Sequence, residues 1–495
     1  MASTITSEQL NEYPHFHGRK VIHTHVRKIT EDNVLYELSK AMSVHTFNSA
    51  QIKYLYNYYK GKQSIKNRKK EVRPEIQNNI VENTAYEIVS FKSSYLLGEP
   101  CTYTRRGDGE NVSDDISMIN DYMYIKDKAS QDKIMADWLH IGGLAYRMIL
   151  PATKEEQLID GCPFIIDVLN PKNTFCVYNS GFGTPKVMGV TYCYDEKNSE
   201  IYTVYTPERV FTIQYGQIVS NDPNPLGCIP IIEYKANTAI MGAFEPVLDL
   251  LDALNTIASN RVDDIEQIVQ AYLKFIGAEV TEEQMEFMAE NHLIMLPNGT
   301  DASYITAPLD QQQSQTLVDY CYGRILTICG MPATQNGGAS TSDTGVAVMF
   351  RDGWQQAEAN ASDTELFFKR SEKQMLQIML RILKDTEGLD INLADIDIKF
   401  TRRQYEASLT KAETLQMMLN CGVEPKVAFP ICGLFYDPTD AYEQSKELLD
   451  AKWGKENYES TKEDTTQADT LSTLQQTTND TDNGDIDSGD KVSEV

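Results

Sequence analysis

The chain has 495 residues, 41% hydrophobic and 24% charged, with 72 acidic against 45 basic side chains and a formal net charge of −27. That length supports several domains with their own cores. The composition is that of an ordinary globular chain, and an outer surface this acidic excludes tight wrapping of nucleic acid over the bulk of the molecule. No apolar run reaches the roughly 18 residues that a membrane span needs. The start, MASTITSEQLNEYPHF, lacks the basic and apolar regions of a signal peptide. The nine cysteines show no CxxC pairing, and most sit in apolar settings such as Cys193, Cys228, Cys321 and Cys329, the pattern of reduced, buried thiols.

The first 30 residues are polar and carry His15, His17, His23 and His25. No cysteine or carboxylate cluster completes a metal site around them, so a docking arm is the expectation. Residues 30–60 predict two helices, the first capped at Thr30 and the second at Asn48, with Gly61 as the stop. The basic cluster Lys66, Arg68, Lys69, Lys70 and Arg73 follows as a solvated loop. Residues 79–98 predict an amphipathic helix through Ile80, Thr84, Ile88, Phe91 and Tyr95, ended by Gly98 and Pro100. The carboxylates of 105–115 lack the twelve-residue pattern of a calcium loop. Residues 116–150 read as helical. FIIDVL, TFCVY, VMGVTYCYD, EIYTVYT, RVFTIQY and IPIIEY then alternate with turn signals, predicting an antiparallel sheet within an α+β domain. Its Tyr192, Tyr194, Tyr202 and Tyr205 fit cross-strand packing.

The middle of the chain predicts a mechanical unit. A long helix is expected over about 244–276, with one apolar stripe and acidic positions at Glu245, Asp249, Asp252, Asp263 and Asp264. Residues 277–307 predict a short helix, opened by a capping box from Thr281 to Gln284, and a hairpin in which LIML and SYIT flank PNGTDA. A returning helix over about 308–329 ends at Gly330 and Pro332. The segment ATQNGGASTSD is glycine-rich and free of basic residues, and a further helix continues to about 384. INLADIDIKFT (391–401) is expected to be a strand rejoining the earlier sheet. Residues 408–453 carry helical patterns, and from 455 the Thr-, Asp- and Gln-rich composition predicts a disordered acidic tail.

Chemistry-bearing motifs are missing. GxxxxGK[ST], HExxH, GxSxG and strand-associated GxGxxG do not occur. NGGASTSDTG lacks the lysine a phosphate loop requires. Nothing marks the Asp263/Asp264 pair as an acid–base dyad. The residues point to no enzyme, no cofactor and no metal.

The order of segments resembles the portal proteins of tailed bacteriophages, in particular the portal family of Bacillus siphophage type. It is carried by NNIVENTAYEIVSFKSSYLLGEP, then the strand-rich region closing in NPLGCIPIIEY, then DLLDALNTIASNRVDDIEQIVQAYLKFIG with the insertion, the returning helix and the Gly/Ser break. It covers about 30–450. The fold class it implies is α+β: a mainly helical, multidomain protomer of wing, stem, clip and crown that assembles into a ring with a central channel. The implied map is wing 1–240, stem helix 241–276, clip 277–307, returning stem 308–332, tunnel loop 333–343, long tunnel helix 344–385, wing strand 386–404, crown 405–454 and tail 455–495.

The resemblance further implies a dodecameric ring at one capsid vertex, through which double-stranded DNA is packaged and ejected without sequence reading. The implied partners are the large terminase, a head-completion adaptor, and the scaffolding and major capsid proteins, with no membrane. The protein would reside in the virion, and in host cytoplasm during assembly. Asn336, Gly337, Gly338, Ala339, Ser340, Thr341 and Ser342 would face DNA as the tunnel loop. Glu245, Asp249, Asp252, Asp263 and Asp264 would line the acidic channel wall. Glu282, Glu283, Glu286, Asn298, Gly299 and Asp301 would form the clip contact. A carboxylate-rich wall suits sliding, because each Lys–phosphate contact adds affinity. The competing readings are another ring-forming head–tail connector, usually a much smaller chain, and a cytosolic enzyme with a helical arm.

Overall fold

In the computed structural model, which describes residues 18–106, 113–269, 272–276, 281–291, 301–305, 311–332, 353–402, 408–435 and 438–453, a short strand β1 (Ile22–Thr24) leads into one long helix α1 (Val34–Tyr59). The sequence pattern divides this helix at Asn48, but the helix runs through it. The Asn48 amide instead pairs with the backbone of Lys20, donating to its carbonyl at 2.8 Å and accepting its N–H at 3.0 Å. A satisfied tertiary partner removes its tendency to cap. The helix starts after Asn33 rather than Thr30, whose carbonyl accepts the Val34 amide. Gly61, at φ 79°, follows its end.

Helix α2 (Thr84–Leu97) is shorter than expected, because 79–83 stays out of the helix and Asn83 turns at φ 50° just before it. Then come β2 (Thr102–Arg105), α3 (Ser113–Ile125), α4 (Lys128–Gly142), β3 (Leu144–Pro151), the capping-box helix α5 (Lys154–Asp160) and β4 (Phe164–Leu169). The sequence reads 144–150 as helix. It is a strand buried on both sides over most of its length, and such an apolar run carries no period to separate the two states. Gly143, at φ 79°, makes the turn between α4 and β3. A Cβ there would come within 2.4 Å of the Ile240 carbonyl oxygen.

The strand region continues as β5 (Thr174–Asn179), β6 (Lys186–Tyr194), β7 (Glu200–Tyr205), β8 (Arg209–Gln214), β9 (Gln217–Pro223) and β10 (Ile231–Lys235). The expected single sheet is two. One runs β1-β5-β6-β7-β8-β9, with β1 parallel to β5 and the other pairs antiparallel. The other is β10-β3-β4, antiparallel throughout. The first half of α1 packs Val34, Leu38, Ala41 and Met42 against Phe175, Val177, Val190 and Phe211 of the larger sheet.

Helix α6 (Leu248–Val269) is followed by β11 (Tyr272–Ile276), α7 (Glu282–Asn291), β12 (Asp301–Ile305) and the returning helix α8 (Gln311–Cys329). The expected 33-residue helix to 276 therefore ends at Val269. YLKFI is β-rich and pairs antiparallel with β12, Tyr272 opposite Ile305 and Ile276 opposite Asp301. The expected LIML arm of the hairpin lies outside the described residues. Helix α9 (Trp354–Glu387) spans 34 residues, on the order of 50 Å. Its Phe368, Met375, Leu376, Met379 and Leu383 fill the main core with residues of α4, β3, β4 and β10. Strand β13 (Ile396–Lys399) pairs with β2 and joins neither larger sheet.

The chain separates into two compact units at residue 403. The second contains α10 (Ser408–Asn420), α11 (Pro425–Cys432) and α12 (Pro438–Trp453), held by stacking of Phe429 on Phe435 at 5.0 Å and an edge contact to Tyr442. All nine cysteines are unpaired, and Cys193 and Cys421 are exposed. Among the described residues no helix is long and apolar enough to cross a membrane.

Candidate functional site

Helices α6 and α8 lie antiparallel. The Cys329 thiol donates to the Ala243 carbonyl at one end, and Arg261 donates to Gln315 at 3.0 Å near the other. Leu251 and Leu254 of α6 bury against Ile325 and Leu326 of α8, with Leu55 and Tyr58 of α1 and Ile88 and Val89 of α2 completing the cluster. The chain thus leaves the body on α6, forms the β11–α7–β12 unit and returns on α8. Gly330, at φ 62°, closes the return; a Cβ there would lie 1.7 Å from the Asn360 amide nitrogen of α9.

A strap holds the outgoing helix. Residues 78–82 run extended and antiparallel along α6, and three polar side chains of one α6 face capture every second amide. The Asp263 carboxylate accepts Asn78 N–H at 2.7 Å, the Ser259 hydroxyl accepts Ile80 N–H at 3.0 Å, and the Asn255 carbonyl accepts Glu82 N–H at 2.9 Å. Asn255, Ser259 and Asp263 recur every four residues on the helix, while the captured amides recur every two on the strap. The match works because four helical residues rise about 6 Å and two extended residues about 6.6 Å. The basic cluster is part of this clamp. Lys70 pairs with Asp263 at 3.0 Å, and Arg68 donates to Asn260 at 2.6 Å.

This arrangement redistributes the expected acidic wall. Asp263 is buried: its side chain is 1% exposed. Burial opposes its charge, but Lys70 and Asn78 outweigh that and hold the carboxyl below its ordinary range. Glu245 is also fully buried. It pairs with Arg19 and accepts the Gly18 and Gly242 amides at 3.1 and 2.9 Å, fixing the N-terminal segment to the foot of the helix. Neither carboxylate is available to a solvent-facing wall, since each is consumed by a partner within the protomer. Asp252 is half-buried and accepts the Tyr58 hydroxyl at 2.8 Å, and burial pushes its carboxyl upward. Asp249 and Asp264 are exposed.

Glu282, Glu283 and Glu286 are exposed on α7, beside exposed Met285 and Phe287. Asp301 opens β12, while Asn298, Gly299 and the whole set 336–342 lie outside the described residues. Helix α8 carries a feature the sequence did not flag. Leu317, Tyr320 and Ile328 are 49%, 63% and 47% exposed and, with Arg324, form one stripe at helical spacing.

A second anchor holds α9. Glu372, fully buried, accepts the hydroxyls of Tyr103 and Tyr234, both at 2.6 Å, and faces Lys128 at 2.9 Å and Arg147 at 3.5 Å. Asp132 completes a charge-balanced quartet, pairing with Lys128 at 2.6 Å and Arg147 at 2.5 Å. Burial works to raise the Glu372 carboxyl, but the two cations prevail and hold it at about 2. Among the described residues no group of three His, Cys, Asp or Glu could hold a metal ion.

The family model for the phage portal protein, SPP1 Gp6-like, matches residues 43–453. The chain belongs to this portal family. No curated sequence matches it. Among solved structures it is similar to a chain in the neck of an empty GTA particle computed with C6 symmetry, at 14% identity and a TM-score of 0.42, covering 71% of this chain and 90% of that one. The portal protein is a connector between phage head and tail, and its family is structural. In this portal protein the out-and-back α6–α8 pair, the strap and the α9 anchor are the elements that hold the connector's long helices in place.

Proposed function

We propose that this portal protein assembles into a ring, dodecameric in the particle, whose central channel carries double-stranded DNA during packaging and ejection. The observation that supports this reading best is the antiparallel α6–α8 pair ending in the β11–α7–β12 unit, within the 43–453 family match. In this reading α6 and α8 are the stem, 277–307 is the clip, 333–343 is the tunnel loop with Asn336–Ser342 toward DNA, and 405–454 is the crown. The clip, through Glu282, Glu283 and Glu286 with Asn298, Gly299 and Asp301, meets the terminase and later the adaptor.

The exposed Leu317–Tyr320–Ile328 stripe buries against the neighbouring copy, which removes an apolar face from water on assembly. With Glu245 and Asp263 buried, the exposed Asp249 and Asp264 stand as the wall carboxylates. They repel phosphate and so prevent DNA from sticking as it slides.

Size-exclusion chromatography with negative-stain imaging of the purified chain tests the proposal. Rings with a central hole are expected. A monomer or dimer at every concentration would overturn it.

A further inference from the structure

A cluster of lysines sits on a different face of α1 from Leu55 and Tyr58, the residues that pack toward α6. Lys53 and Tyr56 lie at helical spacing on α1, Lys60 follows as its C-cap, and the turn between β4 and β5 brings Lys172 to them. The Lys60 and Lys172 ammoniums lie 5.3 and 4.9 Å from the centre of the Tyr56 ring, and Lys172 also lies 5.8 Å from that of Trp138. The two rings stack on each other at 5.0 Å, so the platform is rigid. The turn is fixed as well: the Lys172 carbonyl accepts the Ser49 and Tyr192 hydroxyls at 2.7 and 3.1 Å and lies 3.0 Å from the His45 ring nitrogen.

Among the described residues no carboxylate pairs with the cluster. Lys53, Lys60 and Lys172 form no ion pair among the described residues, and burial together with the charges of Lys53 and Lys60 lowers the Lys172 pKa. Asp137, which precedes the platform's Trp138, is engaged by Ser93 and faces Lys133. On a chain of net charge −27, Lys60 and Lys172 held over aromatic rings, with the like charge of Lys53 beside them, are a standing electrostatic cost. An anion would relieve that cost.

We propose that Lys53, Lys60 and Lys172, gathered around the Tyr56–Trp138 stack, form a binding surface for the phosphodiester backbone of duplex DNA, separate from the α6–α8 unit. The chemistry calls for a polyanion that brings several negative charges to one patch. Lysine ammoniums bind phosphate as point charges and need no fixed orientation, which suits a backbone read without sequence, and the choice of duplex DNA rests on the portal reading above. The surrounding acidic surface confines contact to this patch and orients the duplex on it.

The test is fluorescence anisotropy of the full-length protein with a labelled short duplex of mixed sequence, across a salt series. The Lys53→Gln, Lys60→Gln, Lys172→Gln triple variant is compared with wild type and with a Lys154→Gln, Lys197→Gln control at exposed sites elsewhere. Three phosphate contacts predict a plot of log K against log salt shallower by about 2.7 in the triple variant, with the control unchanged. Circular dichroism and a thermal melt verify that the triple variant is folded; if it is not, the single Lys53→Gln variant, which removes no ring contact, must lower the slope by about 0.9. An unchanged slope in the folded variant overturns the proposal. Displacement of the duplex by poly-glutamate at matched charge concentration would also overturn it, in favour of an acidic peptide.

Discussion

The Tyr103 hydroxyl donates to the Glu372 carboxylate at 2.6 Å across 269 residues of sequence. That bond joins β2, from the first quarter of the chain, to the middle of the longest helix. Lys128, Arg147 and Tyr234 reach the same carboxylate from α4, β3 and β10. One side chain therefore fixes the position of α9 along its own axis, since a one-residue slip would carry it away from all four partners. Replacing Glu372 with Ala strands two buried cations on Asp132 alone and is expected to destabilise the first unit by about 3–5 kcal/mol. Chemical denaturation followed by near-ultraviolet circular dichroism measures it. Adding Lys128→Met to the variant should recover part of the loss, because the charge imbalance is then removed.

Acid lability should begin well above the carboxylate range. His45 and His140 are buried; burial lowers their pKa values to about 4 and about 3, and Lys92 further depresses His140. Both are neutral in the fold and gain a proton only on unfolding. Their contribution is complete above the unfolded value of about 6.5 and is lost as pH falls toward the folded values. As pH falls from 6.5 to 5 the loss from each histidine steepens from about 0.7 to nearly 1.4 kcal/mol per pH unit. Glu372 adds to this only below about pH 4.5, where the unfolded carboxylate begins to protonate. Urea midpoints measured from pH 8 to pH 5 should fall accordingly. His45→Gln should flatten the slope by one proton; an unchanged slope would place that histidine's titration elsewhere.

The strap amides should exchange slowly for a specific reason. Ser259→Ala removes the acceptor of the Ile80 amide, and Asn255→Ala removes that of Glu82. These donors are only part-buried, so leaving one unpaired costs less than the roughly 3 kcal/mol of a fully buried one, on the order of 1 kcal/mol. Hydrogen exchange of 78–82 should accelerate by about 5-fold per variant if the strap opens locally. Amides of α4, which share no partner with the strap, should keep their protection.

Charge reversal on α6 should separate wall from clamp. Asp249→Lys with Asp264→Lys is expected to slow DNA passage in a packaging assay, more at low salt than at high salt, because exposed charges are screened. Equal rates at both salts would remove these residues from the channel. Asp263→Lys should behave differently. It places a third cation beside Lys70 and Arg68 and should lower the melting temperature whatever the salt.

Much of the fold's order was legible. The α6–insertion–α8 sequence, the stop at Gly330 and the closing helices follow from period, capping and glycine placement. What could not be read was contact between distant segments. Nothing local distinguishes Glu245 and Asp263, which find Arg19 and Lys70, from Asp249 and Asp264, which stay exposed; all four share one acidic, amphipathic pattern. Asn48 carries a capping residue's chemistry, and only its pairing with Lys20 turns it into an interior helix position. YLKFI continues the apolar stripe of α6, and its strand state is decided by a partner 25 or more residues later, in β12. Glu372 sits among helix formers, and only four remote partners make it a buried anion. One signal was available and went unread: Asn255, Ser259 and Asp263 are polar residues at steps of four beside the apolar stripe, a pattern that asks for a partner backbone.

The clamp between strap and helix also limits its own extent. Each rung advances the helix about 0.6 Å less than the strap and swings its side chain about 40° around the helix axis. The three bonds stay at 2.7, 3.0 and 2.9 Å, so over this window the two scales agree as a vernier does. One step further the helix offers Leu251, which has no acceptor, and the chain turns away there: Asn83 lies at φ 50° and α2 begins at the next residue. An insertion of a single residue into 78–82 would throw the register out at every rung beyond it.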